Sequence, residues 1–525
     1  MANAAGPPGV SAPSLAGVEA RSRLEKILCQ INPEHLKRKS VRGGMVAVSA
    51  QVLKFGLQTG SVMVLARLLS PEDFGLQGMV VALTGILGLF SDVGLSAATV
   101  QRDIVTHEQI STLFWINVAV GAALTVLAVA LAPALVILYK EPRLYWVTII
   151  SASAFFVNGL AVQHNALLQR AMRFVTMAKI SLVSLAFSSV VGIGMAFSGG
   201  GYWSLVGMVV SGTLFSTLGA WLAVPWLPGW PSRRAGVRKM LHFGGTVTAN
   251  SLVIYLAYNA EKVLLGRFWG AEALGLYGRA YQLVNLPVQQ LNASLSSVAF
   301  PALSQIQHDG ERLCRSFLRG YTVLLSLTVP VIITSAIFAE EIIRLLLGRK
   351  WMEAAPLLRL LMPMVLGFAM MNPFGWFLMA TGRARRSLNI SFLIAPTVLV
   401  AVLGGIRYGA KGVAFAYSLA IVLVVIPVIA WAIHGTGITL RTYGHAIKSP
   451  LLSGVLGGVC GLGVKVALGA VWSAIPLLIV GTCVLLGVYV WMLLAVMDQR
   501  ALYADLLKHL YQPARHNMEK TPNQE

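Results

Sequence analysis

From about residue 45 to residue 497 the chain alternates long apolar runs with short polar breaks. A helix rising 1.5 Å per residue needs roughly 20 apolar residues to cross a hydrocarbon core about 30 Å thick. Fourteen runs meet that length, at 45–66, 76–100, 112–138, 144–165, 176–197, 202–226, 243–266, 278–300, 319–342, 355–380, 388–406, 411–433, 449–471 and 474–497. The pattern predicts an all-α polytopic membrane protein. The longest breaks within this stretch, 227–242 and 301–318, leave no room for an extramembrane catalytic domain.

The first two runs form a hairpin that recurs 200 residues later. Leu65, Arg67, Glu72, Gly75, Leu76, Gly78, Leu83, Leu95 and Ser96 become Leu265, Arg267, Glu272, Gly275, Leu276, Gly278, Leu283, Leu295 and Ser296, nine identities over positions 65–96. Shorter echoes follow: Tyr139–Arg143 and Gly348–Trp351 each come after the third run of a half, and 165–174 and 376–386 each close the fourth run in a basic turn. Both halves start with a helix of the same direction, so the repeat is expected to be parallel, about an axis along the membrane normal. Two six-helix bundles around a central cavity are expected, at 43–226 and 243–433. A basic cytoplasmic linker (227–242) joins them, and a further helix pair (449–497) follows.

Polar residues inside these runs carry the candidate chemistry, because a charge at mid-membrane costs about 3 kcal/mol on insertion scales. The first run carries Gln51, Lys54, Gln58 and Ser61 on one helical face, and the second carries Thr84, Ser91 and Asp92. The seventh carries Tyr255, Tyr258, Asn259, Glu261 and Lys262; the eighth carries Gln282, Asn285, Gln289, Asn292 and Ser296 on one face. Asn292 is the repeat partner of Asp92. Such side chains either line a wet cavity or bond neighbouring helices together. Their concentration in the first hairpin of each half is the reason to expect a shared cavity. Arg67 and Arg267 sit at expected membrane edges, His164, His242 and His308 at the cytoplasmic edge, and Lys465 in the trailing pair reads as a helix-packing or lipid contact.

Composition agrees. Of 525 residues 56% are apolar and 12% charged, and the mean hydropathy is +0.73. The net charge of +21 would suggest nucleic acid in a soluble protein. Here, basic loops that fix topology and meet anionic lipid explain it better. With the N-terminus inside, and Lys179, Arg279, Arg319, Arg359 and Lys411 at run ends counted with the adjoining loops, 27 Lys and Arg fall on the inner side, 11 on the outer side and three (Lys54, Lys262, Lys465) are left within runs. Both termini are therefore expected in the cytoplasm, as segments 1–42 and 498–525. The first 17 residues are rich in Ala, Pro, Gly and Ser and lack the pattern of a signal peptide. A short amphipathic helix on Leu24, Ile27, Leu28 and Ile31 is expected to follow at the membrane surface. Four scattered cysteines show neither metal spacing nor a disulfide framework. There is no P-loop, no H-E-x-x-H, no C-x-x-C and no nucleic-acid module. No cofactor, metal or nucleic acid is expected, and no enzyme activity.

The strings at 65–80 (LARLLSPEDFGLQGMV), 90–102 (FSDVGLSAATVQR), 260–283 (AEKVLLGRFWGAEALGLYGRAYQL) and 345–361 (LLLGRKWMEAAPLLRLL) resemble the bacterial polysaccharide repeat-unit flippases. These belong to the multidrug/oligosaccharidyl-lipid/polysaccharide exporter superfamily, and the nearest group is the colanic-acid and exopolysaccharide exporter type. The resemblance covers about 40–500. It implies an inner-membrane flippase that moves undecaprenyl-pyrophosphate-linked oligosaccharide outward by alternating access, for exopolysaccharide or lipopolysaccharide synthesis. It also implies a coupling cation and work beside a polysaccharide polymerase and export machinery. Cavities in such proteins are cationic, and Lys54 and Lys262 are the positions that supply charge here, with Arg67 and Arg267 at the edges. Glu261 and Asp92 depart from a cationic lining and suit a coupling ion or an internal ion pair. Two alternatives share the scaffold: a drug or cation antiporter, and a peptidoglycan-precursor flippase.

Overall fold

A computed structural model describes residues 33–91, 96, 99–100, 105–232, 238–306, 309–500 and 503–504. Asp92, His308, Cys29, the expected amphipathic helix at 24–31, two of the basic linker's four charges (Arg233, Arg234) and the tail beyond 504 lie outside the described residues. Helices make up nearly all of what is described. In chain order they are α1 (Pro33–Leu68), α2 (Pro71–Gly88), α3 (His107–Tyr139), α4 (Leu144–Arg170), α5 (Phe174–Phe197), α6 (Trp203–Ala223), α7 (Arg238–Gln305), α8 (Gly310–Ile337), the short α9 (Ala339–Leu346), α10 (Ala354–Ala380), α11 (Ala384–Gly405), α12 (Gly409–Ile433), α13 (Leu440–Leu468) and α14 (Ala474–Trp491). Among the described residues nine helical stretches are long and apolar enough to cross a membrane. One of them, 385–433, is α11 and α12 joined through a 3-10 turn. With α1, α2 and the two arms of α7, the helix order matches the order of the expected spans.

The corners are tighter than the hydropathy pattern suggests. The polar stretch 67–75 reads as a loop, yet α2 already begins at Pro71. Ser70 caps it: its hydroxyl accepts from the Asp73 amide at 3.2 Å, and the Asp73 carboxylate accepts from the Ser70 amide at 2.8 Å. Proline at the first helical position has no amide to leave unsatisfied. The repeat corner is tighter still. The two arms of α7 meet at Gly270, whose φ of 80° breaks the helix for a single residue; a side chain there would be strained.

The chain divides into two compact units, 1–275 and 276–525. In unit 1, α3 packs along α4, α5 along α6 and α1 along α5. The α3–α4 contact is close because Gly121 and Gly159 face backbone of the opposite helix. In lipid, where apolar surface gains little by meeting apolar surface, small residues and interhelical hydrogen bonds hold helices together. Ile110, Phe114, Leu167, Leu168, Val224 and Trp226 form a core at one end of these helices. His164, expected at a membrane edge, is enclosed there instead. It stacks on Trp221 with ring centroids 4.4 Å apart, and the indole N–H of Trp226 donates to Nδ1 of His107 at 3.0 Å.

The repeat is visible in space within unit 1. A methyl group on Gly75 would run into the carbonyl of Ala271, and one on Gly275 into the carbonyl of Pro71. Each corner thus rests on the residue equivalent to its partner's contact, 200 positions away.

In unit 2, α10 packs on α12, α11 on α12, and α8 on both α10 and α13. The trailing helices α13 and α14 pack on each other, with α14 also against α9. Tyr489 of α14 donates to the carbonyl of Ser326 on α8 at 3.0 Å, and the Tyr321 and Tyr443 hydroxyls share a hydrogen bond of 3.1 Å. The extra pair is therefore stitched to α8 by buried polar contacts. Lys465 forms part of the same seam. Its ammonium donates to Glu341 and to the carbonyl of Ile337, each at 2.8 Å, beside the ring of Phe338.

Candidate translocation site

In unit 1 the α1 stripe divides into two parts. Ser61 is buried and donates to Ser189 of α5, or accepts from it, at 2.7 Å; at this position the polar side chain joins two helices. One and two turns earlier the situation changes. Gln58 and Lys54 are half-buried and Gln51 is exposed. Among the described residues Lys54 has no acidic partner, although it stands within the apolar run 45–66 of α1.

The N-terminal arm of α7, residues 238–269, also belongs to unit 1. The Tyr255 hydroxyl reaches α2 past Gly85 and donates to the carbonyl of Val81 at 3.2 Å. The Asn259 amide donates to the Tyr255 carbonyl at 3.0 Å, and Lys262 donates to the Asn259 side-chain oxygen at 2.6 Å. Tyr255, Asn259 and Lys262 thus form one hydrogen-bonded ladder along the arm. Glu261 points elsewhere. It is 3% exposed, and its Oε2 atom has no hydrogen-bond partner among the described residues. Among the described residues no salt bridge to Glu261 is found, and its neighbour Lys262 is turned to Asn259. The side chain of Tyr258 lies outside the described residues.

In unit 2 the part of the second arm of α7 from 276 to 305 carries Gln282, Asn285 and Asn292 half-buried and Gln289 exposed. Asn292 Oδ1 is buried with no partner among the described residues. One residue missed in the sequence reading joins this face: Arg279, three positions before Gln282, whose guanidinium donates to the Gln282 side-chain oxygen. Position 279 lies three residues before Gln282 and so falls on the same side of the helix. It escaped notice because it lies at the mouth of a corner, where an arginine reads as an edge residue.

The family model described as polysaccharide biosynthesis protein matches residues 64–356, from the end of α1 through the start of α10. The chain belongs to the polysaccharide biosynthesis protein family. Two curated relatives lie close to it. The teichuronic acid biosynthesis protein TuaB of Bacillus subtilis is 29% identical over 388 residues, covering 72% of this chain and 78% of that protein. The lipopolysaccharide biosynthesis protein WzxC of Escherichia coli is 28% identical over 391 residues, covering 73% and 79%. Among solved structures, the lipid II flippase MurJ in an inward closed conformation superposes with a TM-score of 0.71 at 12% identity, over 88% of this chain and 100% of that one. At that identity the likeness speaks for the fold. Membership of the polysaccharide biosynthesis protein family, the all-helical architecture and the apolar spans make this a multi-pass membrane protein. At the level of the family they bear out the resemblance carried by the strings at 65–80, 90–102, 260–283 and 345–361. The polar stripes of α1 and of both arms of α7 lie wholly inside the matched region or directly before it.

Proposed function

We propose that this polysaccharide biosynthesis protein is a flippase for lipid-linked oligosaccharide. It moves undecaprenyl-pyrophosphate-linked repeat units from the inner to the outer leaflet of a bacterial inner membrane by alternating access, with both termini in the cytoplasm. The two sequence repeats, 43–226 and 243–433, are the moving halves, and 449–497 is an accessory pair. The chain acts as a transporter and catalyses no covalent step.

The observation that carries this reading is Lys54, a half-buried cation within the apolar run 45–66, with no acidic partner among the described residues. An unneutralised charge at this depth is retained where it meets an anionic ligand in a wet path. A pyrophosphate is such a ligand, and Gln51, Gln58, Gln282, Asn285, Gln289 and Asn292 supply donors and acceptors for sugar hydroxyls. The lipid tail remains among acyl chains while the head crosses. Moving net charge couples to the membrane potential at about 2.3 kcal/mol per charge per 100 mV. Buried Glu261, with a free carboxylate oxygen, supports coupling to a cation or proton.

Deletion of the gene tests the proposal. Lipid-linked repeat units accumulating on the cytoplasmic side is the expected result. Intact polysaccharide with hypersensitivity to cationic drugs would make the protein an antiporter, and stalled peptidoglycan precursor would make it a precursor flippase. Glu261→Gln separates coupling from binding: the variant should bind lipid-linked oligosaccharide normally but lose its response to an imposed ion gradient.

A further inference from the structure

The turn between α11 and α12 holds a site outside the polar stripes. Gly405 and Gly412 meet backbone to backbone, and a methyl group on either would strike the other's carbonyl oxygen. Beside that crossing lies an open-sided groove of about 470 Å³, to which Leu360 of α10 also contributes. Small-molecule sites span roughly 300–1,000 Å³. Its lining is mostly apolar, with Ala401, Gly404, Phe415 and Ala416. Tyr408 and Lys411 complete the lining, which contains no carboxylate.

Two further features set the charge preference. Lys411 and its neighbour Arg407 are exposed and, among the described residues, make no hydrogen bond or ion pair. Helix α12 starts at Gly409 with no side chain capping its first turn. The Gly409 amide donates to the Ile406 carbonyl, and the positive end of the α12 dipole beyond it favours an anion. Tyr408 and Phe415 are 78% and 57% exposed, in a turn between two lipid-length helices. This is where a membrane protein meets headgroups.

We infer that this groove binds one anionic phospholipid, with the phosphate at Lys411 and the start of α12 and the upper acyl chain along Ala401, Gly404 and Phe415. Charge complementarity selects the anionic lipid. A zwitterionic headgroup brings an ammonium next to Lys411 and Arg407, and a free phosphate leaves the apolar trough unused.

The experiment is native mass spectrometry of the full-length protein, delipidated in detergent and titrated with phosphatidylglycerol or phosphatidylcholine. One phosphatidylglycerol should be retained per chain, in preference to phosphatidylcholine. Gly404→Phe fills the groove, since an added Cβ at Gly404 has no atom within 4 Å; this variant should lose the retained lipid with Lys411 intact. Ala401→Leu fills the same space and serves if Gly404→Phe does not elute as a folded protein. Lys411→Gln should weaken retention about fivefold, as one basic residue at a membrane surface implies. Val455→Phe, on the lipid-facing side of α13, should change nothing. Equal retention of the two lipids, or full retention by both groove-filling variants, would overturn the inference. Displacement of the lipid by millimolar inorganic phosphate would also overturn it, and would leave a simple anion site.

Discussion

Lys54 and Lys465 both stand within apolar runs of this protein, and their surroundings differ. Lys465 on α13 is neutralised. Glu341 of α9 and the Ile337 carbonyl hold its ammonium at 2.8 Å, and the two side chains are 19% and 10% exposed. Lys54 on α1 has no acidic partner among the described residues. A charge buried with a partner fastens helices together; a charge buried without one is kept for something that arrives. The contrast teaches that a charged residue in a lipid-length helix is not by itself a sign of a transport path. What distinguishes the two cases is whether the fold has already satisfied the charge.

The comparison is sharpened most by removing the neutralising group. Glu341→Ala leaves Lys465 buried and unpaired and should destabilise the protein by about 3 kcal/mol, read as a lower midpoint of thermal unfolding in detergent. The double variant Glu341→Ala with Lys465→Met should recover most of that loss, and export per folded molecule should stay near the wild-type level in both. If the single variant unfolds like the wild type, the seam between α9 and α13 does not need its ion pair.

A smaller effect is expected at Ser61. Replacing it with Ala removes its hydrogen bond to Ser189 and should cost about 1 kcal/mol of stability, with transport retained. Transport lost at normal stability would place Ser61 with Lys54 and contradict the division of the α1 stripe.

The smallest effect concerns the loop after α3. Arg143 bonds Glu141 at 2.7 Å and also Glu72, and its guanidinium holds the Glu141 carboxyl below the usual carboxylate range. A carboxyl with a lowered pKa contributes stability at neutral pH and loses it as pH falls through its folded-state value. Hydrogen exchange in residues 139–144 should therefore accelerate as the solution is acidified through the carboxylate range. Glu141→Gln should flatten that response; an unchanged pH profile in the variant would assign the acid sensitivity to other groups.

Much of the fold was legible in the sequence because lipid makes length and hydropathy informative: helix order follows the apolar runs from α1 to α14. The corners were misjudged for a physical reason. Polar residues at 70–73 are as compatible with a loop as with a helix start, and the capping pair Ser70 and Asp73 was the signal for the latter. The 200-residue repeat was legible as identities, and the reciprocal crossing of Gly75 and Gly275 shows what those glycines are for. The candidate site was only partly legible. Periodicity says which residues share a face, not what lies opposite. Hence Ser61 and Tyr255 entered the site as stripe members, while their hydrogen bonds to Ser189 and Val81 are helix contacts. The groove beside Lys411 carries no polar stripe at all. It arises from a glycine crossing, which hydropathy does not register.

The most direct test of the account is a flipping assay. Wild-type protein, Lys54→Ala and Lys465→Met are each reconstituted in proteoliposomes carrying a lipid-linked oligosaccharide, and transfer of the headgroup between leaflets is timed. The account predicts that Lys54→Ala slows transfer by about tenfold or more, the scale of a lost charge-assisted contact, while correctly inserted Lys465→Met stays within about twofold. Transfer by Lys54→Ala at the wild-type rate would contradict it.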